Sequence, residues 1–363
     1  MTYKETLFFI GKCLTINHEN HNKILVENDI KSRNIDWDAV VKVSTGHFVF
    51  PALYCNLSRA NFLHYLPKDL VLYMKHITDL NRERNQEIIE QAREINELLL
   101  ANNITPIFLK GTGNLLEGLY VDIGERMVGD IDFIVSKDAY EKTINLLKID
   151  KYKPTKDNDT ERKFHWHYKR SVKEGRIAAI EVHNKILKKP HESILNFKDI
   201  AADLIYKSGF YFLSNKNKIL NAVLPKIIND NLYHSKTITL RTAYDVFLIA
   251  KKGKYTIILE NKKILKKFNN FYGCIKMILN NENDLIAIDN RDLSKFKVSY
   301  LKILENSKKE RLIYNFKDYL VRIKKRFEIV TYSFTDKEYR DFAIKRIFQI
   351  SLYKKLLGIK PTS

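Results

Sequence analysis

The sequence predicts an α+β fold, with a small mixed β-sheet core flanked by helical regions at both ends. Three observations carry this. Apolar residues recur at spacings of three and four over 66–103 and again beyond 197, the period of amphipathic helices. Between those stretches lie short β-branched and aromatic runs at 104–109, 129–135 and 177–183. Only 12 glycines and 7 prolines punctuate 363 residues, which favours long helices over tight turns. The order gives an N-terminal helical region at 1–103, an α/β core at 104–190 and a C-terminal helical region at 191–363.

The first long helix is expected over 66–103, with Leu70, Leu72, Met74, Ile77, Leu80, Ile88, Ile95 and Leu99 on its apolar stripe. Pro67 suits its first turn, and Asn102-Asn103 ends it. A strand follows from Ile104 to Leu109, with Pro106 placing it at an edge or marking the strand's start. Lys110-Gly111-Thr112-Gly113-Asn114 then breaks the pattern, and a short helix resumes from Leu115 to Tyr120. The next strand covers 129–135. Ser136 is a good N-cap for a helix at 137–148, with Asp138 in its first turn. Strands are expected at Tyr152–Thr155, Phe164–Tyr168 and Ile177–His183, the last two joined by a hairpin at Lys173–Arg176. From about 197 the chain is expected to be helical. One stripe there runs through Leu240, Ala243, Tyr244, Phe247 and Leu248, another through Leu312, Phe316, Tyr319, Ile323 and Phe327.

Composition bounds the function. Hydrophobic residues at 45%, with 20 Phe and 20 Tyr, exclude a disordered chain. Cys13, Cys55 and Cys274 form no CxxC pair, which fits a reducing cytoplasm and no structural zinc. The apolar run near the N-terminus is too short for a cleaved leader, and no run approaches a membrane span. A net charge of +20 points to an anionic partner such as RNA or a nucleotide, or to lysines written at neutral surface positions.

The chemistry concentrates in Arg126-Met127-Val128-Gly129-Asp130-Ile131-Asp132-Phe133-Ile134-Val135. Residues i and i+2 of a strand share a face, so Asp130 and Asp132 project together while Ile131 and Phe133 enter a core. Glu181 and His183 share a face of a later strand by the same rule. A third carboxylate there completes a set able to hold divalent cations for phosphoryl chemistry. Upstream, Lys110-Gly111-Thr112-Gly113 suits close backbone approach to phosphate, with Lys110 and Arg126 as added positive charge.

Leu109-Lys110-Gly111, Arg126-x-x-x-Asp130-x-Asp132-x-x-Val135 and Glu181-x-His183, in that order, resemble the uncharacterised bacterial nucleotidyltransferase family of the DNA polymerase β-like superfamily. Asn231-Leu232-Tyr233-His234, then Leu240-Arg241 and Tyr244-Asp245, resemble its downstream helical segment, so that the likeness runs from about 85 to 250. The resemblance implies transfer of a nucleoside monophosphate from an NTP to a hydroxyl acceptor, with Mg²⁺ or Mn²⁺. Asp130 and Asp132 would bind both metals. Glu181 would bind the catalytic metal or act as general base. Lys110, Gly111, Thr112 and Arg126 would meet the nucleotide. The acceptor stays open between a small molecule, RNA and a protein side chain, the latter two as in toxin-like relatives. A catalytically silent nucleotide-binding protein is the alternative. The plainer readings make Arg126 an ion-pair partner, His183 a strand cap rather than an orienter of Glu181, and His234 with Arg241 a structural pair between helices rather than lining of the acceptor cleft. A zinc site at His165, His167 and His183 is not expected, since no cysteine or further ligand lies near them in sequence.

Overall fold

The computed structural model describes residues 1–32, 34–155, 167–281, 286–287, 293–305 and 308–347. The N-terminal region is helical as expected. It holds α1 (Tyr3–Cys13), α2 (Asn20–Lys31), α3 (Trp37–Gly46), α4 (Phe50–Arg59) and the long α5 (Lys68–Leu100). Next come β1 (Ile107–Phe108), α6 (Lys110–Glu117), β2 (Asp130–Ile134), α7 (Tyr140–Ile149), β3 (Lys153–Pro154), β4 (Ser171–Val172) and β5 (Ala179–His183). A short α8 (Phe197–Ala201) leads into β6 (Leu204–Lys207) and β7 (Phe210–Leu213). The remainder is α9 (Asn215–Ile228), α10 (Leu232–Ser235), α11 (Leu240–Ala250), β8 (Tyr255–Thr256), α12 (Lys262–Ile278), β9 (Ile286–Ala287), α13 (Leu293–Leu304), α14 (Lys308–Thr335) and α15 (Lys337–Ile347).

Seven strands form one mixed sheet in the order β3-β4-β5-β2-β1-β7-β6. β2 lies parallel to β5 and antiparallel to β1, and β1 lies parallel to β7. The sheet thus takes two strands from the segment that helical periodicity was expected to dominate. The reason is local. Ile205, Tyr206, Phe210, Tyr211 and Phe212 are β-formers, and they flank Ser208-Gly209 with φ of 51° and 83°. Two positive-φ residues make the primed turn that matches strand twist. A second small sheet pairs β8 with β9. Of the expected strand at Phe164–Tyr168, residues 164–166 lie outside the described residues. His167 makes an isolated antiparallel bridge with His183.

Other elements shift at their ends. α6 starts at Lys110, not at Leu115, because Lys110 turns the chain with φ 51° and the glycines then pack in the helix rather than break it. A Cβ on Gly113 would sit 2.5 Å from the Phe108 carbonyl oxygen, so only glycine lets α6 lie this close to β1. Gly118, in the left-handed conformation, ends the helix. Ser136 Oγ accepts from the Ala139 amide at 3.3 Å, one turn ahead of α7.

α5 positions the sheet through polar residues that an apolar stripe does not reveal. Met74, Ile88, Ile95 and Leu99 are buried as expected, whereas Leu72 and Leu80 face solvent. Asn81 donates to the carbonyls of Gly124 and Arg126, and Asn85 to those of Ile123 and Arg126. Arg82 forks onto Asp122 at 2.7 and 3.0 Å. Gln91 both accepts from the Ala178 amide and donates to its carbonyl. One helix therefore fixes the chain entering β2 and the chain entering β5. These buried amides are matched to backbone groups that would otherwise lack partners. Among the described residues, no helix is long and apolar enough to cross a membrane.

Candidate active site

The parallel register of β2 and β5 sets Asp132 beside Glu181 and Ile134 beside His183. Ile131 and Phe133 point to the opposite face and are fully buried. The strand alternation expected from the spacing is therefore what brings the acids together. Asp132, Glu181 and His183 each offer a ligand atom, all within 4.8 Å of one another. Asp132 Oδ1 lies 2.8 Å from His183 Nε2 and 2.6 Å from Lys110 Nζ. Glu181 Oε2 is 3.9 Å from His183 Nε2 and 4.0 Å from His167 Nε2. Of the two readings left open for His183, orienting Glu181 or capping the strand, neither names its nearest acid, since it touches Asp132 more closely than Glu181.

The two carboxylates are held in different states. Burial alone would raise Asp132, but the Lys110 ammonium and then His183 outweigh it and hold the carboxyl far below its ordinary value. Among the described residues no lysine or arginine forms an ion pair with Glu181. Burial, then the charge of Asp132, push it up to about 7. His183 is lowered, chiefly by burial, which favours the neutral ring despite Asp132. Burial disfavours the charge on Lys110, yet Asp132 prevails and raises it.

Other expected residues take different places. Asp130 shares the strand face but is drawn outward, where Arg170 Nε and Nη2 meet its Oδ1 at 2.9 and 2.7 Å. Thr112 Oγ1 donates to the Asp130 carbonyl at 3.1 Å, tying α6 to β2. Gly111 packs against Arg126, whose Cζ would lie 3.2 Å from a Cβ at that position. Arg126 is buried and forked onto Asp245 of α11, with Nε at 2.9 Å from Oδ1 and Nη2 at 2.8 Å from Oδ2. Its Nη1 donates to the Met127 carbonyl at 2.7 Å, and Tyr120 donates to Asp245 at 2.7 Å. Arg126 is thus committed to an internal ion pair rather than turned outward.

These groups line a cleft of about 250 Å³ between the sheet and the helices α9 and α11. The acids lie on the sheet side. Lys218, Asn221 and Lys226 come from α9, and Arg241 and Asp245 from α11. Sequence reasoning missed Lys218 and Arg170. Each is one lysine or arginine among many in a strongly basic chain, and no spacing marks it. The uncapped N-terminus of α6 opens on the same cleft, since Lys110, Gly111 and Gly113 line it and no side chain caps the first turn.

The donor set suits a hard or borderline divalent cation. Two carboxylates fit Mg²⁺ or Mn²⁺, and an imidazole beside them inclines the set toward Mn²⁺. Asp132, Glu181 and His183 would hold the ion, with Asp130 nearest to them along β2. No curated protein and no solved structure matches the chain. The model of a family described as uncharacterised nucleotidyltransferases matches residues 33–264, most of the chain and all of the sheet and cleft residues named above, and the chain belongs to that family.

Proposed function

We propose that the cleft transfers a nucleoside monophosphate from an NTP to a hydroxyl acceptor and releases pyrophosphate. The observation that carries this is the register of β2 against β5, which gathers Asp132, Glu181 and His183 at the floor of a cleft walled by cations. In the reaction an O–P bond forms between the acceptor oxygen and the α-phosphorus. The bond from the α-phosphorus to the bridging oxygen breaks, and that oxygen leaves with pyrophosphate. A divalent cation bound at the acids would stabilise the attacking and leaving oxygens.

The chain's own residues do the rest. Asp132, kept ionised, supplies fixed negative charge for the ion. Glu181, beside Asp132 and His183, is placed to take the acceptor's proton. The uncapped first turn of α6 directs backbone N–H groups and the positive end of its dipole toward an anion. Gly111 and Gly113 let the chain approach closely there. Lys110, now on Asp132, is the nearest side-chain cation to that turn.

The test pairs binding with turnover. Thermal unfolding of the wild type is followed with each NTP, with and without Mg²⁺ or Mn²⁺, and pyrophosphate release is measured in parallel. One NTP should raise the midpoint in a metal-dependent way, and Asp132→Asn should abolish both that rise and pyrophosphate release while remaining folded. Full activity in Asp132→Asn would sink the mechanism. Tight NTP binding with no turnover toward any acceptor would favour the catalytically silent reading.

A further inference from the structure

Five cations line the cleft, and four of them face a carboxylate: Lys110 faces Asp132, Arg126 faces Asp245, Lys218 faces Glu117 and Lys226 faces Asp230. The fifth is Arg241. Among the described residues, no carboxylate lies within ion-pair distance of it. Asp245, one turn further along α11, is occupied by Arg126 and Tyr120. Arg241 makes one long hydrogen bond, from Nη1 to the Met127 carbonyl at 3.3 Å. Burial, then the charge of Arg126, depress it to about 10. A partly buried guanidinium without a counter-ion is costly, and an anion in the cleft would relieve it.

Arg241 is also held in place. Its guanidinium carbon sits 4.7 Å from the ring centre of Phe48. Phe48 has φ 57°, a left-handed conformation at the end of α3 that glycine adopts without strain and an aromatic residue does not. The neighbouring His47 accepts from the amide of Leu240, the first residue of α11, at 3.1 Å. The turn after α3 therefore grips the start of α11 twice, once by its backbone and once by the face of Arg241.

We propose that Arg241, stacked on Phe48, is the anion-binding residue of the cleft and takes the terminal phosphates of the NTP, opposite the acids that hold the cation. This rests on the function proposed above and assigns the polyphosphate end of its substrate. The planar fork suits two phosphate oxygens at once, which a lysine ammonium cannot match. It also explains why a residue on α11, far along the chain from the acids, faces the cleft at all.

The experiment is calorimetric titration of inorganic pyrophosphate into the full chain in EDTA, so that no metal contributes. Wild type should bind. Arg241→Gln should weaken binding by about tenfold or more, and Arg241→Lys by less, since it keeps charge but not the fork. Phe48→Leu should weaken it too, with Arg241 intact but unstacked. The thermal midpoint of each variant confirms folding, and Arg241→Lys serves if Arg241→Gln does not fold. Equal affinity in wild type and both Arg241 variants would overturn the proposal, as would absence of pyrophosphate binding to wild type. Such a failure is separable from failure of the transfer reading, which is read from metal-dependent NTP binding and turnover in wild type against Asp132→Asn.

Discussion

The Arg126–Asp245 pair allows a sharp test of what the basic residue upstream of the acids does in this chain. Both side chains are less than a tenth exposed, and three contacts of 2.8–3.1 Å join them. Removing one partner leaves an uncompensated buried charge, which costs roughly 3–5 kcal/mol. Asp245→Asn also weakens the acceptor for the Tyr120 hydroxyl. Arg126→Met keeps length and apolar bulk but strands Asp245. Each single variant should therefore lose on the order of 3–5 kcal/mol in urea denaturation followed by far-UV circular dichroism. The double variant should lose less than the sum, with a coupling of about 2 kcal/mol or more, because neither charge then remains. Additive losses, or single losses under about 1 kcal/mol, would refute the reasoning. If Arg126 instead served phosphate, Arg126→Met would weaken nucleotide binding, read by titration, with little loss of stability in the cycle.

Two further outcomes follow from the same geometry. Glu181 is raised in the folded state from an ordinary value of 4.5 to about 7, so its ionisation opposes folding; the penalty is absent below the unfolded value, builds between the two values and is complete once pH has risen through about 7. Glu181→Gln should therefore raise the thermal midpoint of the metal-free protein at pH above that window, by at most a few kcal/mol in stability, and leave it nearly unchanged at acid pH; an equal gain at both ends would refute the assignment. Gly113→Ala gains about 1 kcal/mol in helix propensity but drives a Cβ to 2.5 Å from the Phe108 oxygen, a backbone atom that cannot move aside freely. Overpacking of that kind costs roughly 1–3 kcal/mol, so a net loss of stability is expected by thermal unfolding, and a stabilised variant would show that α6 can lift from β1.

The acids were legible because their geometry is local. Strand alternation alone places Asp130 with Asp132 and Glu181 with His183, and the structure keeps both pairings. What alternation cannot give is the partner of each charge. Arg126 meets a carboxylate 119 residues away, and Asp130 meets Arg170 across 40. Such pairs depend on which elements stack, not on spacing. The hairpin of β6 and β7 was readable in principle from Ser208-Gly209 between aromatic runs, but helical periodicity on both sides obscured it. The polar face of α5 was hidden for a different reason. Asn81, Asn85 and Gln91 read as solvated residues, and only the backbone groups they satisfy explain their burial.

Taken together, these charges show how the cleft is organised before any ligand arrives. The acids stand on adjacent strands whose entering segments are fixed by one helix, so their separation does not depend on a flexible loop. The cations come from α6, α9, α11 and the turn before β2, and among the described residues each but Arg241 already has an anion against it. A site with every charge internally matched would gain little from a charged ligand, since each new contact would replace an old one. A site with many charges unmatched would be unstable when empty. This cleft lies between those limits, with a repelled carboxylate at Glu181 and an unmatched guanidinium at Arg241. On the proposed function a cation would relieve the first and a phosphate the second. A nucleotide carried with its divalent ion would bring both at once, so on that reading the two strains would favour the pair over either component alone.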